Sequence, residues 1–179
     1  MKKKTLWITQ TALMLALLLA LQWATKPLGQ LVTGSCVNGI LAVTVLFAGM
    51  VSGITVAVLS PLFAFFLGIA PNLVTVPVIM VGNTVYVILL KTLYGSQILR
   101  RLAAWLVAAA VKFAVLYGLV AGVICNLLSD ALLGAGILKV PMLNALPATF
   151  SWPQLVTALI GGGIALLIVP VLRKALRKG

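Results

Sequence analysis

The stretch Leu102–Leu128, LAAWLVAAAVKFAVLYGLVAGVICNLL, is an almost unbroken apolar run that contains one charged residue, Lys112. A helix rises about 1.5 Å per residue and the hydrocarbon core of a bilayer is roughly 30 Å thick, so this run predicts a transmembrane helix. Arg100 and Arg101 precede the run, and Asp130 follows it. Lys112 is therefore expected about 16 to 18 Å from the arginines, near the middle of the bilayer.

Lys112 has no acidic partner within reach on this predicted helix. Asp130, the one acidic residue of the chain, lies roughly 27 Å further along. A lysine side chain reaches only about 6 Å, and a charge at this depth costs at least about 2.5 to 3.5 kcal/mol. Three interpretations stay open: the ammonium binds an anionic ligand, the helix begins later and leaves Lys112 near the interface, or the lysine is neutral or held by carbonyls as a packing feature.

The composition of the chain indicates a polytopic membrane protein. Of its 179 residues 63% are hydrophobic and 8% are charged, so the apolar area exceeds any core that a soluble chain could bury. The net charge of +12 comes mostly from Lys2–Lys4, Arg100–Arg101 and Arg173–Lys178, which lie between apolar runs. The positive-inside rule explains these clusters better than nucleic-acid binding does.

The apolar runs predict an all-α fold with six transmembrane helices in a single domain, 1–179, and with both termini in the cytoplasm. The first run is read as a retained span, not a cleaved signal peptide. Two polar or breaker-rich segments, Thr25–Ser35 and Ser129–Ser151, are expected to be outside loops, and the second is long enough to fold over the membrane face as a lid. The six spans are predicted at approximately 6–24, 36–50, 54–69, 73–93, 102–128 and 152–172.

Two asparagines of the fourth span are expected on one helical face, because Asn72 and Asn83 are eleven residues apart. Asn83 lies about 16 Å below the outside turn predicted at Ala70–Asn72, at nearly the depth of Lys112. Polar groups at that depth usually face protein or a cavity, so Asn83 and Lys112 are candidate binding residues. The alternative is an ordinary interhelical hydrogen bond.

A heptad pattern on the fifth span places Trp105, Lys112, Leu119 and Asn126 on one stripe, with a drift of about 20° per step. This stripe is a candidate lining for a pocket open toward Asn126 and the outside. Trp105 is also explained as an interface aromatic.

The inventory of reactive side chains argues against an enzyme. With no histidine and one carboxylate, the chain lacks the ligands of a transition-metal centre and the groups for general acid–base or His-assisted nucleophilic catalysis. No GxxxxGK[ST] motif occurs, so any ATP hydrolysis must belong to a partner. No metal and no cofactor are expected, and the two cysteines are expected to be free.

The first span carries Ala12, Ala16 and Ala20 at four-residue spacing on a leucine-rich helix. Small residues in such a stripe let another helix approach closely in lipid. Packing within the chain is the alternative explanation.

This alanine series is similar to the small-residue motif by which the substrate-binding (S) components of energy-coupling factor transporters dock on their scaffold subunit. The proline and glycine layout of spans two to four adds to the likeness: LFAGMVSG at Leu46–Gly53, Ser60–Pro61, and VPVIMVGN at Val76–Asn83. The chain resembles this family over its whole length in size, topology and basic ends.

The resemblance implies a multi-pass subunit of a prokaryotic plasma membrane that captures a vitamin or related micronutrient near the outer face. A transmembrane scaffold subunit, docked at Ala12, Ala16 and Ala20, and two cytoplasmic ATPase subunits would then drive its release inward. The family also implies a pocket shaped by the first outside loop, the outer parts of spans four to six and their connecting loop. In this chain those regions contain Gln30, Asn38, Asn72, Asn83, Lys112, Asn126 and Trp152.

A cationic, amide-rich pocket suits a small ligand with a carboxylate, phosphate or amide group, and it disfavours thiamine or a metal ion. Pantothenate, niacin, biotin and lipoate fit this description, while folate-sized and corrinoid ligands stay open. Two other classes of function remain as alternatives: a stand-alone channel or secondary transporter for an organic anion, and a scaffold protein that binds no small ligand.

Overall fold

The fold is described from a computed structural model, which covers residues 2–69 and 72–176. Residues 70 and 71 of the predicted outside turn, and residues 177–179 of the basic tail, lie outside the described residues. Every element of secondary structure in the described ranges is helical. The helices are α1 (Lys2–Thr25), α2 (Gln30–Phe47), α3 (Met50–Phe66), α4 (Thr75–Leu93), α5 (Ile98–Tyr117), a π-helical segment (Gly118–Leu127), α6 (Ser129–Gly134), α7 (Val140–Thr149) and α8 (Trp152–Leu176).

Five of these helical stretches are long and apolar enough to cross a membrane, and α3 is a shorter apolar helix of 17 residues. The prediction of an all-α, multi-span membrane protein is confirmed.

Two contacts define one end of the bundle. The Arg173 guanidinium donates a hydrogen bond to the Leu46 carbonyl oxygen (2.7 Å), and the Thr11 hydroxyl donates to Ser52 Oγ (2.8 Å). The third turn of α1 and the last turns of α8 therefore lie beside the α2–α3 turn. We call this the basic end of the bundle. The opposite end, which contains the turn between α1 and α2 and the helix α7, borders a cavity and is called the cavity end. That the basic end is cytoplasmic stays a prediction.

The predicted outside loop at Thr25–Ser35 is wrong for most of its length. Only a short 3₁₀ turn (Lys26–Leu28) and Gly29, with φ 88°, separate α1 from α2, which begins at Gln30. The polar residues that suggested a loop are accommodated in the helix because their hydroxyls bond backbone carbonyls: Thr33 donates to Thr25 (2.8 Å) and Ser35 to Leu31 (2.6 Å). Asn38, expected in the first turn of this helix, is therefore eight residues past its start.

Helices α2 and α8 make the closest packing in the bundle. Glycines on both helices allow it: a β-carbon on Gly34 would lie 2.8 Å from the Thr157 side chain, and one on Gly161 would lie 2.5 Å from the Gly39 backbone nitrogen. Backbones can approach this closely only where the side chains are absent or small. The glycine at 161 therefore permits close contact between α8 and α2.

The segment that follows α5 is a π-helix of ten residues, Gly118–Leu127, whose turns are wider than those of an α-helix. Residues seven apart no longer fall on one stripe once the helix changes its period. The heptad stripe predicted from Trp105 to Asn126 therefore does not continue, and Asn126 is exposed.

The predicted long loop at Ser129–Ser151 is built largely from two short helices, α6 and α7. Leu138, Leu146 and Phe150 of this segment are buried against Leu116 and neighbouring residues of the π-helical segment. This apolar contact holds α7 across the cavity end, in the region where the sequence suggested a cover.

Candidate functional site: a buried lysine at the base of a cavity

Lys112 is buried in the middle of the bundle, with 2% of its surface exposed. Its ammonium donates a hydrogen bond to Asn38 Oδ1 and another to Asn83 Oδ1 (2.7 Å), and it lies over the Tyr86 ring, 5.2 Å from the centroid. Amide oxygens and an aromatic face stabilise a cation but carry no negative charge. Asp130, the one acidic residue, is exposed at the cavity end. The charge on Lys112 is therefore solvated by the protein but not neutralised by it.

Asn38 and Asn83 occupy equivalent depths on their helices. Each lies eight residues past the first residue of its helix, Gln30 for α2 and Thr75 for α4, which is about 12 Å below the cavity end. The predicted meeting of Asn83 and Lys112 at one depth is confirmed by their hydrogen bond. Asn38 reaches the same point because α2 starts earlier than the sequence suggested.

The side-chain amides of Asn38 and Asn83 differ in whether their Nδ2 donors have hydrogen-bond partners. Asn38 Nδ2 donates to the Gly34 carbonyl oxygen (2.9 Å) and to Thr157 Oγ1 (3.2 Å), and Thr157 in turn donates to the Gln154 carbonyl oxygen (3.1 Å), so this amide is fixed. Asn83 Nδ2 is buried and has no hydrogen-bond partner. A buried donor without a partner costs about 1 to 3 kcal/mol, which a ligand with an acceptor group would recover.

A cavity of about 340 Å³ extends from these residues to the cavity end. This volume lies within the range of roughly 300 to 1,000 Å³ that is usual for small-molecule sites. Part of the wall is apolar and comes mainly from α7 and its neighbours. The residues that line the cavity include Gln22, Lys26, Gln30, Val37, Asn38, Ile79, Asn83, Lys112, Met142, Leu146, Phe150 and Gln154.

The structure brings four of the seven predicted binding residues to this cavity: Lys112, Asn38 and Asn83 at its base, and Gln30, which is exposed, at its rim. It places the other three, Asn72, Asn126 and Trp152, outside the cavity lining. The binding role of all seven stays a prediction.

Asn72 is buried just before α4, where its Oδ1 accepts a hydrogen bond from the Val74 backbone N–H (3.0 Å) and its Nδ2 faces Met142 Sδ at 3.9 Å. The eleven-residue spacing to Asn83 implied a shared helical face, but α4 begins only at Thr75, so the helical period does not extend back to Asn72. This asparagine organises the entry to α4 and does not line the cavity.

Asn126 and Trp152 are exposed and do not line the cavity. The wider π turn directs Asn126 away from the stripe of Lys112. Trp152 is 61% exposed at the first position of α8, where an amphipathic ring is typical of a membrane interface. Trp105 packs inside the bundle instead, with its indole N–H donating to the Leu159 carbonyl oxygen (3.0 Å).

Several cavity residues were not anticipated from the sequence. Gln22, near the end of α1, and Gln154, in the first turn of α8, line the cavity, and Thr157 of α8 accepts from Asn38 without lining it. Each is an isolated polar residue in an apolar run, and that is the signal that could have identified them, since polar side chains at membrane depth usually face protein or a cavity.

The predicted docking residues Ala12, Ala16 and Ala20 are all exposed, on one side of α1. They are therefore not used for packing within the chain.

Comparison of the chain with protein-family models, with curated proteins and with solved structures gives no match.

Proposed function

We propose that this chain is the substrate-capture subunit of an energy-coupling factor importer, and that it binds a small micronutrient bearing a carboxylate or amide group. The observation that carries the binding proposal is the Lys112 ammonium, buried at the base of a cavity beside the unpartnered Asn83 Nδ2 and without any carboxylate to neutralise it. A carboxylate or carbonyl oxygen placed there would accept from both donors. A cationic ligand would meet an uncompensated like charge.

The importer class rests on the likeness described above and on one further feature, the exposed alanine stripe of α1. A helix that leaves small residues uncovered can receive another helix in lipid at short distance. In this proposal the scaffold subunit covers the stripe, and two ATPase subunits supply the energy that the chain itself has no motif to obtain.

The binding proposal is tested by identifying the small molecule that co-purifies with the protein, using mass spectrometry after denaturation. Lys112→Met should then reduce affinity for that molecule by at least about tenfold, since hydrogen bonds to charged groups contribute about 1.5 to 3 kcal/mol. Lys139→Met is the matched control, because Lys139 is an exposed lysine at the cavity end that does not line the cavity. Equal affinity of both variants for the ligand would refute the role of Lys112.

The importer class has its own test. Ala16→Trp should abolish co-purification with the scaffold subunit and leave ligand binding intact, whereas Leu17→Trp, at an exposed position on another face of α1, should be tolerated. Uptake of the ligand into liposomes by this chain alone would instead favour a stand-alone channel or secondary transporter. Stable folding with no small ligand at all would favour a scaffold protein.

A further inference from the structure

Gln22, in the last turns of α1, contributes a second unsatisfied polar atom to the cavity wall. Three buried side-chain polar atoms have no hydrogen-bond partner in the part of the chain that the structure describes: Gln22 Oε1, Asn83 Nδ2 and Ser60 Oγ. The residues of the first two both line the cavity, and Ser60 does not. Unsatisfied polarity is thus concentrated where a ligand would bind.

The two unpartnered atoms have opposite hydrogen-bonding character. Asn83 Nδ2 is a donor and lies beside the Lys112 ammonium, so the base of the cavity requires an acceptor. Gln22 Oε1 is an acceptor, and it requires a donor from the ligand. Gln22 is on α1, which packs against α2 and α3, whereas Lys112 is on α5. The two requirements therefore apply to different walls of the cavity. Met142, Leu146 and Phe150 supply an apolar part of the cavity wall and take no part in either requirement.

We infer that the cavity selects a ligand with two distinct polar groups: an acid or carbonyl group that accepts from Lys112 and Asn83, and a separate hydroxyl or N–H group that donates to Gln22. This inference rests on the proposed binding site and narrows the class of its ligand. A site with buried hydrogen-bonding groups discriminates strongly against an analogue that leaves one of them unpaired. Acids without a second donor are therefore poor ligands.

A matched pair of compounds tests the requirement for a donor. Biotin and lipoate both carry a five-carbon carboxylate chain on a sulfur-containing ring, but only biotin has ring N–H groups. Binding of each is measured by calorimetry on the purified full chain, for the native protein, Gln22→Met and Gln10→Met. Methionine matches glutamine in shape but accepts hydrogen bonds weakly, and Gln10 is a glutamine of α1 that does not line the cavity.

The small molecule extracted from the native protein is analysed in parallel. The inference expects that molecule to contain both an acid or carbonyl group and an O–H or N–H donor. Its affinity, and that of biotin wherever biotin binds, should fall about tenfold in Gln22→Met and stay unchanged in Gln10→Met. Thermal denaturation of each variant verifies that it is folded.

The outcomes separate this inference from the proposed function. An extracted ligand without a donor, lipoate binding as tightly as biotin, or native affinity in Gln22→Met would overturn the inference, while the loss of binding in Lys112→Met would keep the proposed function. Absence of any extracted molecule, together with no binding of either compound, would overturn both.

Discussion

Asn83→Leu should have a much less favourable effect on the stability of the ligand-free protein when Lys112 is present than when Lys112 is replaced by methionine. In the native chain Asn83 Oδ1 accepts one of the two side-chain hydrogen bonds of a buried ammonium. Losing a hydrogen bond to a charged group costs about 1.5 to 3 kcal/mol, but leucine also removes the unpartnered Asn83 Nδ2, which returns about 1 to 3 kcal/mol, so the two effects should largely cancel in the native chain.

In a Lys112→Met background the same substitution should be stabilising. Without the lysine, Asn83 Oδ1 loses its donor, and Asn83 Nδ2 already has no partner. Each buried, unpaired polar atom costs about 1 to 3 kcal/mol, and a leucine of similar volume removes both atoms. The coupling free energy between the two positions should therefore be at least about 2.5 kcal/mol.

The assay is a double-mutant cycle in detergent micelles, with denaturant unfolding followed by the fluorescence of the four tryptophans. Asn126→Leu in both backgrounds is the control, because Asn126 is an exposed asparagine of the same transmembrane stretch as Lys112. If Asn83→Leu has the same effect in both backgrounds, the Lys112 ammonium does not depend on Asn83, and the hydrogen bond between them does not stabilise the site.

Three further predictions concern the frame around the site. Gly161→Ala should destabilise the protein by about 1 to 3 kcal/mol in thermal or denaturant unfolding, because its β-carbon would meet α2, whereas Gly122→Ala, with open space around it, should have no such effect. Phe150→Ala should cost about 3 to 5 kcal/mol in the same assay and speed ligand dissociation in a filter-binding experiment, since the ring is buried and lines the cavity. Thr157→Val keeps the shape but removes the acceptor of Asn38 Nδ2, so calorimetry should record weaker ligand binding, while a native-like affinity would show that Asn38 is held without it.

The sequence was sufficient to predict the class of fold and the central contact of the site. An apolar run of about 20 residues has the length needed to cross the hydrocarbon core of a bilayer, and the depth of a residue follows from its distance to the helix end. That arithmetic brought Lys112 and Asn83 to one level, and the hydrogen bond between them confirms it.

Three of the four asparagines that were predicted to bind were misplaced because of where a helix begins or changes its period: Asn38, Asn72 and Asn126. Ser and Thr hydroxyls in the first turns of α2 bond to backbone carbonyls, so a segment that looked like a loop is helical and Asn38 lies deeper than expected. The π-helical segment moves Asn126 off the stripe of Lys112. Neither effect leaves a clear pattern of residue types, because hydrogen-bond register is a property of the backbone.

Gln22 illustrates a different limit. A single glutamine in an apolar span indicates a polar contact but not its direction, since the side chain both donates and accepts. Only the arrangement of neighbouring helices shows that its carbonyl oxygen is buried without a partner.

The glycine contacts between α2 and α8 restrict how the cavity can admit its ligand. The backbones of the two helices touch at Gly39 and Gly161, and Gly34 packs directly on the Thr157 side chain, so little space is left for one helix to shift against the other. Any widening of the entrance therefore depends on other parts of the wall. Helix α1 has the loosest attachment of the five long spans, with 11% of its most apolar stretch buried against 33 to 39% in the others, and it carries Gln22 into the wall. Outward swinging of α1 would widen the entrance and withdraw Gln22 from the cavity wall in the same motion.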